Sequence, residues 1–417
     1  MSEWKTYTLG EIAEITSSKR IFLADYVSEG IPFYRSKEVI ERFKKNNVST
    51  ELFIEKSKFE EIRNKFGAPT ENDILLTSVG TIGIPFKVKK DDEFYFKDGN
   101  LTWFRNYNGK ILPDYLFYWI QSSIGKDAIE KTKIGSTQQA LTIASLKQIE
   151  IQAPDEATQT QIAQILTSLD DKIELNLQMN QTLEAMAQAL FKEWFVNFNF
   201  PGFNGELENG LPKGWRIGKL SDIIEIKHGY AFKGDFFSDF EEEDILITPG
   251  NFKIGGGFNS QKFKYYNGDI PKDYILNRND LIVTMTDLSK AGDTLGYSAL
   301  VPTIEGKRLL HNQRIGKVIF KSDLPVKYFL YWLMRQDDYR YFVLGGATGS
   351  TVKHTSPTRI CEFEFPLPTK ELLSKFETKI SSLSDKAQEN EIQINTLTRT
   401  RDTLLPKLMS GKIEIKN

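Results

Sequence analysis

The chain has 417 residues, of which 40% are hydrophobic and 26% charged, so it is long enough for two or three domains with separate buried cores. Its formal net charge of −2 excludes a uniformly basic nucleic-acid-coating protein, so any DNA surface has to be a local patch. The single cysteine, Cys361, excludes a disulfide framework and a cysteine-rich zinc site. Because neither a signal peptide nor an apolar stretch of membrane-spanning length is present, we expect a cytoplasmic protein without a membrane role.

In chain order, one pattern occurs twice. Trp4 and Ile15 open the first half and recur as Trp215 and Ile226. Further matches follow in the same order and at nearly constant spacing: 72–75 with 279–282, 115–119 with 328–332, 135–137 with 349–351, and Pro154 with Pro368. An internal duplication explains the conserved order, and it predicts two domains of the same fold.

Each half opens with a short amphipathic helix, and aromatic or β-branched runs between Gly, Asn and Asp turns then predict strands. Such runs cover 31–34, 74–79, 281–285 and 317–320. The segments around Trp119 and Trp332 have helical spacing and predict a buried helix, with stacking on a cofactor as the alternative. We therefore predict an α/β (α+β) domain over 1–155 and another over 213–368. The Gly-, Pro- and Asn-rich stretch 197–212 predicts an exposed connector between the halves.

A long helix is predicted after each half, over 156–196 and 369–417. In the first helix, apolar or small side chains recur at alternating three- and four-residue spacing at Leu166, Leu169, Ile173, Leu183, Ala187, Leu190 and Trp194. The second helix has an equivalent row at Ile380, Leu383, Ala387, Ile394, Leu397, Leu404 and Leu408, with Arg401 among them. Two such rows can bury each other, and Asn176, Asn180 and Asn390 within them would fix the register. Packing of each helix on its own half is the alternative.

The motifs of several enzyme classes are missing from the sequence. No Gly-Lys pair is followed by Ser or Thr, as a Walker A loop requires, and no Pro-Pro exists for the Asn-Pro-Pro-aromatic segment of amino-methyltransferases. His228, His311 and His354 lack the spacing of a zinc-hydrolase site. A magnesium nuclease site among the 56 acidic residues stays open, because its spacing is loose.

Candidate DNA contacts come from stretches that contain basic residues and no acidic ones. Two of these stretches surround the repeated Gly-Ser-Thr, where backbone amides and hydroxyls can approach phosphates; the third has side chains suited to base edges. The candidates around Gly-Ser-Thr are Lys133, Ser136, Thr137, Gln138, Ser350, Thr351 and Lys353. Those of the third stretch are His311, Asn312, Gln313 and Arg314, and the first half adds Lys19, Arg20, Arg35 and Lys37. Ordinary glycine turns and a solvated strand face are the alternatives.

Two diverged α/β halves, each with a Gly-Ser-Thr turn and a Pro before a long helix, resemble the specificity subunits of type I restriction-modification systems. The resemblance covers essentially the whole chain and includes the segments 9–12 and 170–173. It implies two target-recognition domains, each reading one part of a split DNA sequence. It also implies that the two long helices form an antiparallel coiled coil that acts as a spacer. No catalytic residue is carried over by it.

The same resemblance implies partners. These are double-stranded DNA, modification (methyltransferase) subunits and restriction (motor-nuclease) subunits. It implies no cofactor in this chain, with S-adenosylmethionine, ATP and Mg in the partner subunits. Two alternatives of other classes are a self-contained metal-dependent nuclease and a protein-binding repeat adaptor, the latter favoured by the nearly neutral charge of both halves.

Overall fold

The computed structural model describes residues 4–45, 48–135, 139–261 and 263–413. The chain divides into two compact units: the first unit comprises 1–175 and 395–417, and the second unit comprises 176–394. Within the described residues, no helix combines the length and the apolar character needed to cross a membrane.

The first unit is built on two four-stranded sheets. Its strands are β1 (Lys5–Thr8), β2 (Glu14–Thr16), β3 (Tyr26–Val27), β4 (Ile31–Tyr34), β5 (Phe53–Ile54), β6 (Ile74–Thr77), β7 (Pro85–Lys87), β8 (Tyr95–Phe96), β9 (Leu101–Arg105) and β10 (Glu150–Ala153). Its short helices are α1 (Leu9–Ile12), α2 (Ser36–Phe43), α3 (Lys56–Phe66), α4 (Pro113–Gln121), α5 (Ser123–Thr132) and α6 (Ile143–Lys147), and the long helix α7 (Glu156–Phe191) begins after β10. The order β2-β9-β6-β7 is antiparallel throughout, whereas the order β3-β5-β4-β8 contains the parallel pair β4–β8.

The second unit repeats this plan. Its strands are β11 (Leu207–Glu208), β12 (Leu211–Pro212), β13 (Arg216–Lys219), β14 (Ile224–His228), β15 (Phe237–Ser238), β16 (Asp244–Ile247), β17 (Lys264–Tyr266), β18 (Ile275–Leu276), β19 (Leu281–Thr284), β20 (Thr286–Asp287), β21 (Ser298–Leu300), β22 (Arg308–His311), β23 (Ile315–Phe320), β24 (Lys353–His354) and β25 (Glu364–Leu367). Its helices are α8 (Leu220–Ile223), α9 (Lys327–Leu333), α10 (Asp337–Gly345), α11 (Pro357–Cys361) and the long α12 (Lys370–Met409). The sheet orders are β14-β23-β19-β21 and β15-β17-β16-β22-β18, the latter with the parallel pair β16–β22.

The duplication predicted from the sequence is confirmed in the strand register. Thr77 pairs with Leu101 in the first unit, and Thr284 pairs with Ile315 at the same place in the second. The outer ribbons also correspond, because β1 pairs with β10 as β13 pairs with β25. Each unit is therefore a mixed α and β domain of one topology, to which β18 is an addition in the second unit.

The central strands β6 and β19 are buried on both faces. Successive side chains of a strand point to opposite faces, so Ile74 packs into one core while Leu75 packs into another. Leu281 and Ile282 divide in the same way in the second unit. This double burial explains the unbroken apolar runs of the sequence.

Repeated turn residues adopt the backbone conformations that explain their repetition. Asn72 and Asn279, one before each central strand, have φ of 72° and 63°, a region that asparagine tolerates better than most residues. Gly135 and Gly349 have φ of 97° and 92°. The two repeated motifs thus mark equivalent positions with left-handed backbone geometry.

The aromatic segments are core helices, as predicted. Trp119 on α4 and Trp332 on α9 are each 1% exposed and lie in the main core of their own unit. Their burial among other side chains of the same unit favours packing over the cofactor-stacking alternative.

Each unit contains an antiparallel pair of segments from the two long helices. In the first unit, Asp170 of α7 bonds to Arg401 of α12. In the second unit, Asn176 donates to Gln393, and Asn390 donates to the Oδ1 of Asn180 at 2.8 Å. In the second unit, residue numbers rise from 176 to 180 along α7 while those of the partners fall from 393 to 390 along α12. In the first unit, Leu166 precedes Asp170 and shares a core with Leu408, which follows Arg401, so the helices run antiparallel in each unit.

Members of the predicted rows of both helices share one core in each unit, Leu166 with Leu408 in the first unit and Ala187 with Ile380 in the second. The beginnings of the helices also pack on their own domains, since Ile162 and Leu166 lie in the core of the first unit and Phe376 in that of the second. At its end, α7 continues into a π-helical turn over Lys192–Val196.

Candidate nucleic-acid interface

The second unit brings two of the predicted DNA-contacting stretches to one strand end. Strand β19 continues through Met285 into β20. The Met285 amide donates to the carbonyl of Arg314 at 2.9 Å, and the Met285 carbonyl accepts from the amide of Thr355 at 3.0 Å. Strand β20 then pairs with β24, which contains Lys353. We call the exposed or half-exposed residues of this place the strand-end surface, and its members are Gln313, Arg314, Ser350, Thr351 and Lys353.

Gln313 and Arg314 form the tip of a tight turn between β22 and β23. The Ile315 amide closes the turn by donating to the Asn312 carbonyl at 3.0 Å. The amide of Arg314 donates to the Asn312 Oδ1, and the amide of Gln313 donates to the Tyr230 carbonyl, each at 3.0 Å. Both tip side chains are exposed, and within the described residues neither makes a side-chain hydrogen bond or an ion pair. The turn therefore carries the side-chain amide of Gln313 and the guanidinium of Arg314, both without a partner within the described residues, on a fixed backbone.

His311 and Asn312 do not face solvent, and this corrects the role predicted for them. Their side chains are 1% and 5% exposed. The His311 Nε2 lies 2.9 Å from the Ile315 carbonyl, and burial lowers the pKa of His311 to about 4 because it disfavours the charged ring. The imidazole is thus neutral near pH 7 and donates to that carbonyl, so both side chains support the turn from inside.

The Gly-Ser-Thr segment of the second unit is a sharp loop beside the same strand. Gly349 has φ of 92°, and a Cβ placed there would lie 2.0 Å from the Val352 carbonyl oxygen, so only glycine fits. Thr348 and His354 exchange two backbone hydrogen bonds across this loop, at 3.0 and 2.9 Å. Ser350 and Thr351 are exposed at its end, and Lys353 is half-buried. Small hydroxyls and an ammonium on such a loop suit phosphate oxygens.

The first unit has the same arrangement at the end of its central strand. The Ser78 amide donates to the Asn100 carbonyl at 2.8 Å, and the Ser78 carbonyl accepts from Leu141 at 3.0 Å. These bonds match those of Met285 in the second unit. The predicted contacts Ser136, Thr137 and Gln138 lie outside the described residues. Lys133 is next to them and forms an ion pair with Glu130.

The other predicted residues of the first unit lie in two places. Lys19 and Arg20 are exposed beside the turn that precedes β9, where Arg20 pairs with Asp98 at 2.7 Å. The Lys19 ammonium lies 5.1 Å from the centre of the Phe66 ring, a cation–π contact. Lys19 and Arg20 thus occupy the part of the first unit that corresponds to the strand-end surface.

Arg35 and Lys37 lie instead at the start of helix α2. Arg35 pairs with the fully buried carboxylate of Glu38 at 2.8 Å, and this interaction raises the pKa of Arg35. Lys37 is exposed and donates to the Ser49 carbonyl at 3.2 Å. The ion pair with Glu38 already balances the charge of Arg35. Contact with DNA would break this pair and leave the buried Glu38 carboxylate without its cationic partner, which is unfavourable.

Sequence reasoning missed Asn100 and Tyr230. Asn100 ends the turn before β9, at the place that Arg314 has before β23. Tyr230 is 38% exposed, and its backbone bonds to both His311 and Gln313. The offset of the repeat varies from 207 to 214 residues, so it places the counterpart of Arg314 only within 100–107 and does not single out Asn100. Within the described residues, no group of three or more His, Cys, Asp or Glu is placed to hold a metal ion.

A duplicated α+β domain that carries polar side chains at the end of each central strand has the architecture of a two-part binding protein. The family model described as type I restriction modification DNA specificity domain matches residues 1–185 and again residues 212–396. The chain belongs to this family.

Named relatives agree with this assignment. The chain is 30% identical over 329 residues to the type I restriction enzyme MjaIX specificity subunit of Methanocaldococcus jannaschii, with 75% of this chain and 72% of the relative covered. It is 26% identical over 471 residues to the HindI specificity subunit of Haemophilus influenzae, with 99% and 100% covered. Among solved structures, the type I restriction-modification S subunit from M. genitalium matches with a TM-score of 0.62 at 15% identity and covers 100% of this chain and 97% of its own, which shows a shared fold.

Proposed function

We propose that this chain is the DNA-reading specificity subunit of a type I restriction-modification complex, in which each unit reads one part of a split DNA sequence. The observation that carries the proposal is the strand-end arrangement, which is built twice on the same backbone plan but carries different side chains. Two domains with the same backbone and different side chains are suited to bind two half-sites of different base sequence. Membership of the DNA specificity family supports the same role.

The side chains of the strand-end surface divide into two kinds of contact. The guanidinium of Arg314 can make paired hydrogen bonds to guanine, and the amide of Gln313 can do so to adenine. Ser350, Thr351 and Lys353 suit phosphate oxygens, which position the protein without reading sequence. Such a local surface reconciles DNA binding with the net charge of −2.

The proposal extends to partners that bring the chemistry. Modification (methyltransferase) subunits would supply S-adenosylmethionine, and restriction (motor-nuclease) subunits would supply ATP hydrolysis and Mg-dependent cleavage. The sequence supports this division, since it has neither a Walker A loop nor an Asn-Pro-Pro-aromatic segment. We place the complex in the cytoplasm, where the DNA and a reduced Cys361 are both expected. The nuclease and adaptor alternatives receive no support from the family assignment.

The test is to co-express the chain with a modification subunit and to map the methylated bases of the host genome. We expect methylation at a motif in two separated parts, and Arg314→Ala should weaken DNA binding and alter one part alone. Lys5→Ala, on the outer ribbon of the first unit, serves as a control and should leave the motif unchanged. A complex that forms with a modification subunit of demonstrated activity but methylates no defined motif would contradict the proposal.

A further inference from the structure

The turns that precede β9 and β23 are equivalent in position but differ in chemistry. Strand β9 begins at Leu101 and β23 at Ile315, and each of these residues pairs with the last residue of its central strand. The residues immediately before them are Asn100 and Arg314, and the backbone carbonyl of each accepts a hydrogen bond from the residue after the central strand. Residue 100 of the first unit is therefore structurally equivalent to residue 314 of the second.

Both side chains are available to a ligand. Arg314 is exposed and Asn100 is half-buried, and within the described residues neither side chain makes a hydrogen bond or an ion pair. An amide side chain placed in a turn usually caps a nearby backbone group, as Asn312 does for Arg314. Among the described residues, the turn in which Asn100 lies offers its side-chain amide no such role.

The backbone under Asn100 is fixed from several sides. The Gly99 amide donates to the Ser17 Oγ at 3.4 Å, and the same hydroxyl donates to the Leu101 carbonyl at 3.2 Å. Arg20 neutralises Asp98 in the same turn, with a contact of 2.7 Å. A negative carboxylate beside the tip would repel DNA phosphates, so the Arg20–Asp98 pair makes the turn compatible with an approaching duplex.

From these observations we infer that residues 100 and 314 are the equivalent specificity-determining positions of the two units, with Asn100 reading adenine and Arg314 reading guanine. The inference rests on the proposed function and names residues that carry it. The amide of asparagine matches the N6 and N7 edge of adenine, and the arginine fork matches O6 and N7 of guanine. Because the two tips carry different side chains, each unit would then recognise a different base at the equivalent position of its half-site.

The experiment uses the complex with its modification subunit and separates reading of bases from attraction to phosphate. Arg314→Lys keeps the charge but removes the paired hydrogen bonds, so it should lower discrimination at one base pair by roughly 5- to 150-fold while general affinity changes little. Asn100→Ala should lower discrimination by a similar factor at one base pair in the other part of the motif. Methylation maps and binding to duplexes with single base-pair substitutions measure both effects.

Matched controls come from the repeat itself, since Lys5 and Arg216 occupy equivalent positions on β1 and β13. Lys5→Ala and Arg216→Lys should leave the motif unchanged, and unchanged thermal unfolding of all variants confirms that they fold. Full discrimination in Arg314→Lys, together with uniformly weaker binding in Arg314→Ala, would make Arg314 a phosphate contact and overturn the inference. Loss in both parts of the motif at once would overturn it as well. Absence of any sequence-specific binding by the wild-type complex would instead refute the proposed function.

Discussion

Replacing Asp170 by alanine should destabilise the first unit through the loss of one connected polar network. The Asp170 Oδ1 accepts from Arg401 of α12 at 2.7 Å, and its Oδ2 accepts from the Tyr118 hydroxyl at 2.9 Å. Lys45 donates to the Asp170 backbone carbonyl at 2.8 Å and lies 3.8 Å from its carboxylate. The Asp170 carboxylate thus lies against the positive charges of Arg401 and Lys45 and accepts a hydrogen bond from the Tyr118 hydroxyl.

The size of the effect follows from the burial of this network. The side chains of Arg401 and Asp170 are 23% and 17% exposed, between a surface pair worth about 0–1 kcal/mol and a fully buried pair whose disruption costs about 3–5 kcal/mol. We expect Asp170→Ala to lower the free energy of unfolding of the first unit by about 2–3 kcal/mol. Lys45 would then lose its contact with the Asp170 carboxylate, while Arg401 would keep its ion pair with Asp402 at 2.8 Å.

A double-mutant cycle in urea measures this interaction. The variants are Asp170→Ala, Arg401→Ala and their combination, and the expected coupling energy is about 1–2 kcal/mol, smaller at high salt. Asp171→Ala removes a neighbouring exposed carboxylate and should cost little. A coupling energy below about 0.3 kcal/mol would show that the pair is an incidental surface contact and would refute this reasoning.

Three further predictions concern pH, a loop and the long helices. Burial raises the pKa of Glu377 to about 7, so the folded state binds a proton between pH 4.5 and 7 and its free energy of unfolding falls as the pH rises through that range. Glu377→Gln should remove up to about 3 kcal/mol of this pH dependence, and an unchanged pH profile in urea unfolding contradicts the prediction. Gly349→Ala should weaken DNA binding in gel shifts, whereas Gly306→Ala, also at positive φ but in open space, should not; equal effects contradict it. Removing 395–417 should speed hydrogen exchange in the first unit but not in the second, with an end at Ile413 as control; equal exchange in both units contradicts it.

The sequence predicted the duplicated mixed fold because the repeat preserves what the fold needs. Asn72 and Asn279 recur since each precedes a central strand with positive φ, and the apolar runs recur since both strands are buried on two faces. The rows of the long helices were predictable for the same reason. Arg401, the one charged residue of its row, is explained by its hydrogen bond to Asp170 of the other helix, which the sequence alone does not place opposite it.

The candidate site was less predictable because side-chain direction depends on tertiary packing. His311 and Asn312 follow two apolar residues and look like an exposed strand end, but the turn at 312–315 folds them inward. The locally matched charges could have been recognised in part, since Arg35 and Glu38 lie three residues apart in the sequence, a spacing at which side chains meet on a helix. Arg20 and Asp98 lie far apart in sequence, so their pairing required the structure.

The ends of the long helices lie in the hydrophobic cores of the two units. Phe191 at the end of α7 and Trp194 in the π-helical turn that follows lie in the core of the second unit, and Leu405 and Leu408 near the end of α12 lie in that of the first. The core of each unit thus includes the end of a long helix whose first residues belong to the other unit. Packing in that core constrains these apolar positions. Asn100 and Arg314 belong to none of the hydrophobic clusters of the described residues, so the tips at these positions are not constrained in this way. A substitution at either tip is therefore compatible with an unchanged helical framework. If these tips read bases as we propose, the two halves of one chain would be able to diverge in specificity while they keep one fold.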